Sequence, residues 1–224
     1  MKMKKILFLT VLYCAAMSGL SYNLSDPTFV SLTKKTYTSL YEVKVFFKEL
    51  GLEYLEQEEF TPGLKLPKNL KKDSFYLNDA EANAANTKKY HEKIHQKHRA
   101  PMQIKWISPE IGYGVFATKK IKKDDLIQVY TGVVDLKDNI PNKDYCWQYG
   151  VKTIDGKNVS CDAMHKGNEM RFVNHDDNPN AKVIYVLSGN WHICYVATRD
   201  ILPGQQITVS YGKAYWNSRQ KLTL

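Results

Sequence analysis

Only four cysteines occur in the 224 residues, at Cys14, Cys146, Cys161 and Cys194, and no two stand at C-x-x-C spacing. That argues against a structural zinc knuckle and a redox dithiol. If Cys14 leaves with an N-terminal leader, three remain, an odd count that makes a poor disulfide framework. No apolar run reaches the roughly 20 residues of a membrane-spanning helix, so no stable span is expected in a mature form. No internal repeat is evident. Gly112-Tyr113-Gly114 lacks the third glycine and following helix of a dinucleotide fingerprint. Acidic residues are also short: 23 against 32 basic ones, a formal net charge of +9. Such a surplus suits an acidic, nucleic-acid-associated or anionic partner, and equally a lysine-rich solvated surface.

Apolar residues make up 43% of the chain, enough for a packed core rather than disorder. Lys2, Lys4 and Lys5, the apolar run from Ile6 to Ala16 and the small residues Ala16-Met17-Ser18-Gly19 follow the layout of a secretory signal peptide. Residues 1–18 are therefore expected to be a leader and the protein to be exported, with a buried N-terminal helix of a cytoplasmic protein as the alternative. Residues 19–100 read as a helical and irregular region. Apolar residues from Phe29 to Phe46 recur at three- and four-residue steps, which predicts a helix stopped near Gly51. Pro62, Gly63 and Pro67 mark an irregular connection over 53–78. A second helix is expected from Asp79 to before Pro101. On it, His91, His95 and His98 share a face. Without a catalytic acid at metallohydrolase spacing they read as a solvated basic helix, and no metal site is expected.

After Pro101 the texture changes to short β-branched and aromatic runs at Gln103–Trp106, Gly114–Ala117, Leu126–Tyr130, Lys182–Val186, Trp191–Val196 and Gln206–Tyr211, separated by turn-formers. This predicts a mainly β domain over 101–216, with a tail at 217–224. Four segments stand out: Gly112-Tyr113-Gly114-Val115-Phe116-Ala117, Gly167-Asn168-Glu169-Met170-Arg171-Phe172-Val173-Asn174-His175 running on to Pro179-Asn180-Ala181, Arg199-Asp200-Ile201 running on to Ile207-Thr208-Val209-Ser210-Tyr211-Gly212, and Tyr215-Trp216.

In order and spacing these segments resemble the SET-domain family of protein-lysine methyltransferases. They look most like compact SET proteins of a chlorovirus and of chlamydia- and legionella-type intracellular bacteria. The resemblance implies a knotted fold of several small β-sheets, in which the Asn174-His175 segment threads beneath the strand carrying Tyr211. It implies S-adenosylmethionine as cofactor and transfer of its methyl group to a lysine of a basic protein, plausibly histone-like. Tyr211 matches the family's catalytic tyrosine, and Tyr145 matches, more loosely, a tyrosine of the lysine channel. The Gly112, Tyr113 and Gly114 backbone, Arg171, Asn174 and His175 match the cofactor site. Trp216 is either an adenine-stacking residue or core packing. Val209 stands where many members have Phe or Tyr, so it is expected to leave space for di- or trimethylation.

Where many members read N-H-S-C, with a cysteine that joins a C-terminal zinc trio, this chain has Asp176 and Asp177. The zinc-bearing cap is expected to be absent, so a partner subunit, which would allow a homodimer, or the N-terminal helices must complete the substrate groove. Two other functions compete. One is a catalytically idle SET module that binds chromatin or proteins through its basic surface. The other is direct nucleic-acid binding through Lys88–Arg99, which is the less expected.

Overall fold

The computed structural model describes residues 33–216. The expected leader (1–18), the start of the first helix (27–32) and the tail (217–224) lie outside the described residues. In chain order the elements are β1 (Thr36–Tyr37), α1 (Leu40–Glu49), β2 (Glu53–Tyr54), β3 (Glu59–Phe60), α2 (Ser74–Leu77) and α3 (Ala80–His95). They continue with β4 (Met102–Ser108), β5 (Gly112–Ala117), β6 (Leu126–Tyr130), β7 (Val133–Leu136), β8 (Cys146–Lys152), β9 (Asn158–Asp162) and β10 (Lys166–Gly167). A 3-10 turn at Glu169–Phe172 then leads to β11 (Asn174–His175), β12 (Ala181–Ser188), β13 (Asn190–Ala197), β14 (Thr208–Val209) and α4 (Lys213–Trp216).

The expected mainly β architecture is observed, as small sheets ordered β1-β4-β5, β12-β13-β6 and β3-β7-β9-β8, with the pairs β10-β2 and β11-β14. The first helix is shorter than expected. Ser39 caps it in a reciprocal capping box with Glu42, and Gly51 ends it at φ 71°, a conformation glycine adopts cheaply. Thr36 and Tyr37, expected to be helical, instead pair antiparallel with Lys105 and Ile104. The segment expected to be irregular contributes β2 and β3, which pair in parallel with β10 and β7. Residues 33–60 thus add edges to sheets whose other strands come from residue 102 onward.

Helix α1 buries Val43, Phe46 and Phe47. Phe46 stacks on Tyr37 at 4.1 Å between ring centroids and meets Tyr113 at 4.7 Å and Phe172 at 5.7 Å. Each fully buried aromatic is worth about 1.5–3 kcal/mol, so this cluster binds α1, β5 and the 169–172 turn together. Helix α3 is solvated along its basic face, where Lys88, Lys89, His91 and His95 are exposed, and buries the opposite one. Its Tyr90 and Ile94 are buried against Leu126, Val186, Cys194 and Val196. His91 contacts the Ser188 hydroxyl at 2.6 Å, and His98 lies beyond the helix end. Among the described residues no three His, Cys, Asp or Glu side chains are placed to hold a metal ion.

One buried charge pair clamps the β3 approach to β13. His192 Nδ1 lies 2.9 Å from a Glu58 carboxylate oxygen and its Nε2 lies 3.1 Å from the Ser188 carbonyl. Both partners only accept, so the ring must donate from both nitrogens and carry charge. Burial disfavours that charge, but the Glu58 bond and charge and the Ser188 carbonyl outweigh it and raise the pKa. The pair's stabilisation is therefore complete below the unfolded value of about 6.5, as long as Glu58 stays ionised, and is lost as pH rises through the raised folded value. The urea midpoints of the protein and of Glu58→Gln should differ most near pH 6 and converge at alkaline pH. A constant gap would refute the charged pair.

Candidate active site

Strand β11 lies parallel to β14, with Asn174 beside Thr208 and His175 beside Val209. Two residues make too short a ladder to hold by itself, and side chains reinforce it. The Asn180 amide donates to the Gln206 carbonyl at 2.7 Å, and its oxygen accepts from the Thr208 N–H at 3.0 Å. Just past β14, the Tyr211 N–H donates to His175 Nδ1 at 3.1 Å, and the Tyr211 hydroxyl donates to the Val173 carbonyl at 2.8 Å. The phenol oxygen is thereby held in one orientation. Since His175 Nδ1 accepts, the neutral ring carries its proton on Nε2, whose nearest recorded acceptor is Asp177 Oδ1 at 3.3 Å, outside hydrogen-bond geometry.

Aromatic rings surround Tyr211. Trp147 meets it edge-on at 6.5 Å, Tyr215 meets it at 4.8 Å, and Trp216 lies nearly parallel to it at 6.0 Å and 13°. Trp216 also tilts over His175 at 4.9 Å, and its Nε1 is buried without a hydrogen bond. Trp147 donates to the Tyr195 hydroxyl at 2.8 Å, which fixes the indole. Tyr145 packs under the Arg171 guanidinium, 4.2 Å from its ring centroid. Arg171 itself is buried and donates to the Ala163 and Met164 carbonyls at 2.8 and 3.1 Å. Arg171 therefore secures the Ala163–Met164 turn and the Tyr145 ring together.

The glycine segment closes the other side. Gly112 sits at φ 80°. A Cβ on Gly114 would fall 2.6 Å from the Ile107 side chain, 3.0 Å from Gln206 Nε2 and 3.1 Å from Asn174 Nδ2. Asn174 Nδ2 also donates to the Tyr113 carbonyl at 3.1 Å, so β5 and β11 are joined at this point. The Tyr113 ring faces Phe46, Trp106 and Phe172 in the core, so any part it plays at the site is through its backbone. Val209 is fully buried. The Tyr149 hydroxyl donates to the Trp191 carbonyl and the Tyr185 hydroxyl to the Gln148 carbonyl.

The structure thus brings Tyr211, His175, Asn174, Gly114 and Trp216 into one constellation, with Arg171 and Tyr145 forming an adjoining pair. It adds Trp147, Asn180 and the Val173 carbonyl, which sequence reasoning did not single out. The family comparison falls on this region: residues 112–212 match the SET domain family.

Among curated relatives, a variant-silencing SET domain-containing protein of Plasmodium falciparum is 34% identical over 110 residues, 45% of this chain and 4% of that protein. Human histone-lysine N-methyltransferase 2B is 32% identical over 113 residues, again 45% of this chain and 4% of that protein. The chain spans 4–34% of the length of the first relatives it matches. Among solved structures, ATXR5 in complex with histone H3.1 mono-methylated on R26 superposes with a TM-score of 0.55 at 18% identity, covering 81% of this chain and 88% of that one. That likeness shows the fold.

The glycines give a test of the packing. A Cβ on Gly132 would lie 2.4 Å from the Asp162 carbonyl oxygen, a backbone atom that cannot swing aside. At Gly114 the obstacles are side-chain ends. Gly132→Ala should cost about 3 kcal/mol and Gly114→Ala less than about 1 kcal/mol in denaturant unfolding. Equal costs would show that the Gly114 cradle is as rigid as backbone.

Proposed function

We propose that the protein transfers methyl groups from S-adenosylmethionine to lysine side chains of a basic, histone or histone-like protein. The observation that carries this reading is the Tyr211 hydroxyl fixed on the Val173 carbonyl beside the β11–β14 pair. Histone-lysine N-methyltransferases among the relatives support the reaction class. The site residues fit such a cofactor: Gly114 leaves a backbone surface that a Cβ would fill, and His175 Nε2 and Trp216 Nε1 are buried without hydrogen bonds. Gly112–Gly114, Asn174 and His175 would hold it, Trp216 would stack on its adenine, and Arg171 would brace the site. When bound, S-adenosylmethionine supplies an electrophilic methyl group on a sulfonium.

The chain's own residues have three tasks. Tyr145, Trp147 and Tyr211 wall the path of the lysine and exclude water, which disfavours the ammonium and lowers the amine's pKa from its ordinary value of about 10.4. The Tyr211 oxygen, oriented by Val173, aligns the amine for in-line attack. Val209 sets the room in which a methylated amine turns. Asp144, Asp176 and Asp177 suit a basic tail. Asp176 and Asp177, in place of the family's zinc-linked cysteine, favour the compact viral and intracellular-bacterial subgroup.

Labelled S-adenosylmethionine with a panel of histones and bacterial basic proteins tests the reading. Tyr211→Phe should lose at least about tenfold in rate, equivalent to roughly 1.4 kcal/mol. Binding of histones without any transfer would leave an idle binding module. Mass spectrometry of the product should show di- or trimethyl-lysine, and Val209→Phe should shift it towards fewer methyl groups while sparing the first transfer. A wild-type product that stops at monomethyl-lysine would refute the role given to Val209.

A further inference from the structure

Glu169 occupies a variable position of the G-N-x-x-R-F segment, so the family resemblance gives it no role. It is nevertheless a fully buried carboxylate. Burying such a charge costs several kcal/mol unless both oxygens are satisfied. Here both are taken by residues outside the SET match. The Tyr54 hydroxyl donates to Oε2 at 2.8 Å, and Arg99, only 20% exposed, forms an ion pair with Oε1. Tyr54 lies on β2, which pairs with β10, and the next residue's carbonyl accepts from the Thr131 hydroxyl at 2.9 Å. Arg99 follows α3 and also reaches the Met102 carbonyl at 3.3 Å. Neither donor can move without moving a sheet.

Glu169 begins the 3-10 turn that ends at Phe172. The Val173 N–H bonds the Met170 carbonyl at 3.1 Å, and the Val173 carbonyl receives the Tyr211 hydroxyl. Three residues and one internal hydrogen bond therefore separate the buried carboxylate from the group that aims the tyrosine. We propose that Glu169, gripped by Tyr54 and Arg99 from the N-terminal region, is a positioning residue for Tyr211, so that residues 53–99 set the geometry of the reaction. The proposal rests on the methyltransferase reading for its kinetic consequence only.

A double-mutant cycle on the full chain tests it. Tyr54→Phe removes one bond to Glu169 and keeps the ring. It should lower kcat about fivefold and leave KM for the protein substrate within about twofold. In a Tyr211→Phe background it should cost less than about twofold, because the hydroxyl it positions is gone. Equal losses in both backgrounds would overturn the proposal, since a loss of general stability is blind to the Tyr211 hydroxyl. The same cycle read in urea unfolding needs no turnover. Coupling between Tyr54→Phe and Tyr211→Phe is expected there, and strict additivity would also overturn the proposal. An inactive wild type would count against the methyltransferase reading, while the unfolding cycle would still decide the coupling.

Discussion

The parallel contact between β11 and β14 is the constraint on which the site depends. These two-residue strands come from segments more than 30 positions apart, Asn174–His175 and Thr208–Val209. Their ladder is too short to offset the entropy of bringing them together. Side chains supply the difference. Asn180 bonds both neighbours of Ile207, Asn174 reaches across to β5, and Tyr211 is tied at its N–H to His175 and at its hydroxyl to Val173. The same bonds that hold the strands together orient the phenol. Fold and site geometry are thus one set of interactions, and a change at His175 or Asn180 disturbs both.

What lies beneath this contact comes largely from outside the SET match. Phe46 and Phe47 of α1 pack on Phe172, and Tyr54 and Arg99 hold Glu169. Glu58 meets His192 on β13. Buried ion pairs contribute little net stability compared with apolar packing, but losing one partner leaves a stranded charge and is expensive. They therefore fix a register more than they add strength. Two such pairs, both spanning the boundary of the match, tie residues 53–99 to the domain in one arrangement.

The sequence shows some of this and hides the rest for physical reasons. The run Leu126–Tyr130 is β-branched and apolar enough to read directly, and its bounds are those of β6. Strands β8 and β9 escape because Cys146-Trp147-Gln148-Tyr149-Gly150-Val151-Lys152 and Asn158-Val159-Ser160-Cys161-Asp162 mix polar and apolar residues. They make a strand pair only through the intervening turn and their sheet partners. Strands β1, β2 and β3 are two residues long, shorter than any periodicity. Tyr211, Asn174, His175 and the glycines are legible because they fall in long motifs. The roles of Trp147 and Glu169 are not, because each acts through a partner 48 or 115 positions away, and Asn180, though inside a motif, shows its role only through Gln206 and Thr208. Unexpected burial of a charge was the one signal for Glu169, and burial is visible only in three dimensions.

Charge presents a conflict that distance resolves. A chain of formal charge +9 should repel a basic tail. At physiological salt, however, exposed charges are screened beyond about 8 Å, so the surplus spread over the lysine-rich surface counts for little at any one place. The side chains of Glu58 and Glu169 are buried and paired with His192 and Arg99. Asp177 is 71% exposed and lies 3.3 Å from the His175 ring, and Asp176 is bound by its N–H to Val209. On the proposed reading, these two carboxylates beside His175 would make the local field more negative than the chain's average. For the proposed basic substrate, attraction would then act beside the Tyr211 and Trp147 rings rather than over the whole surface.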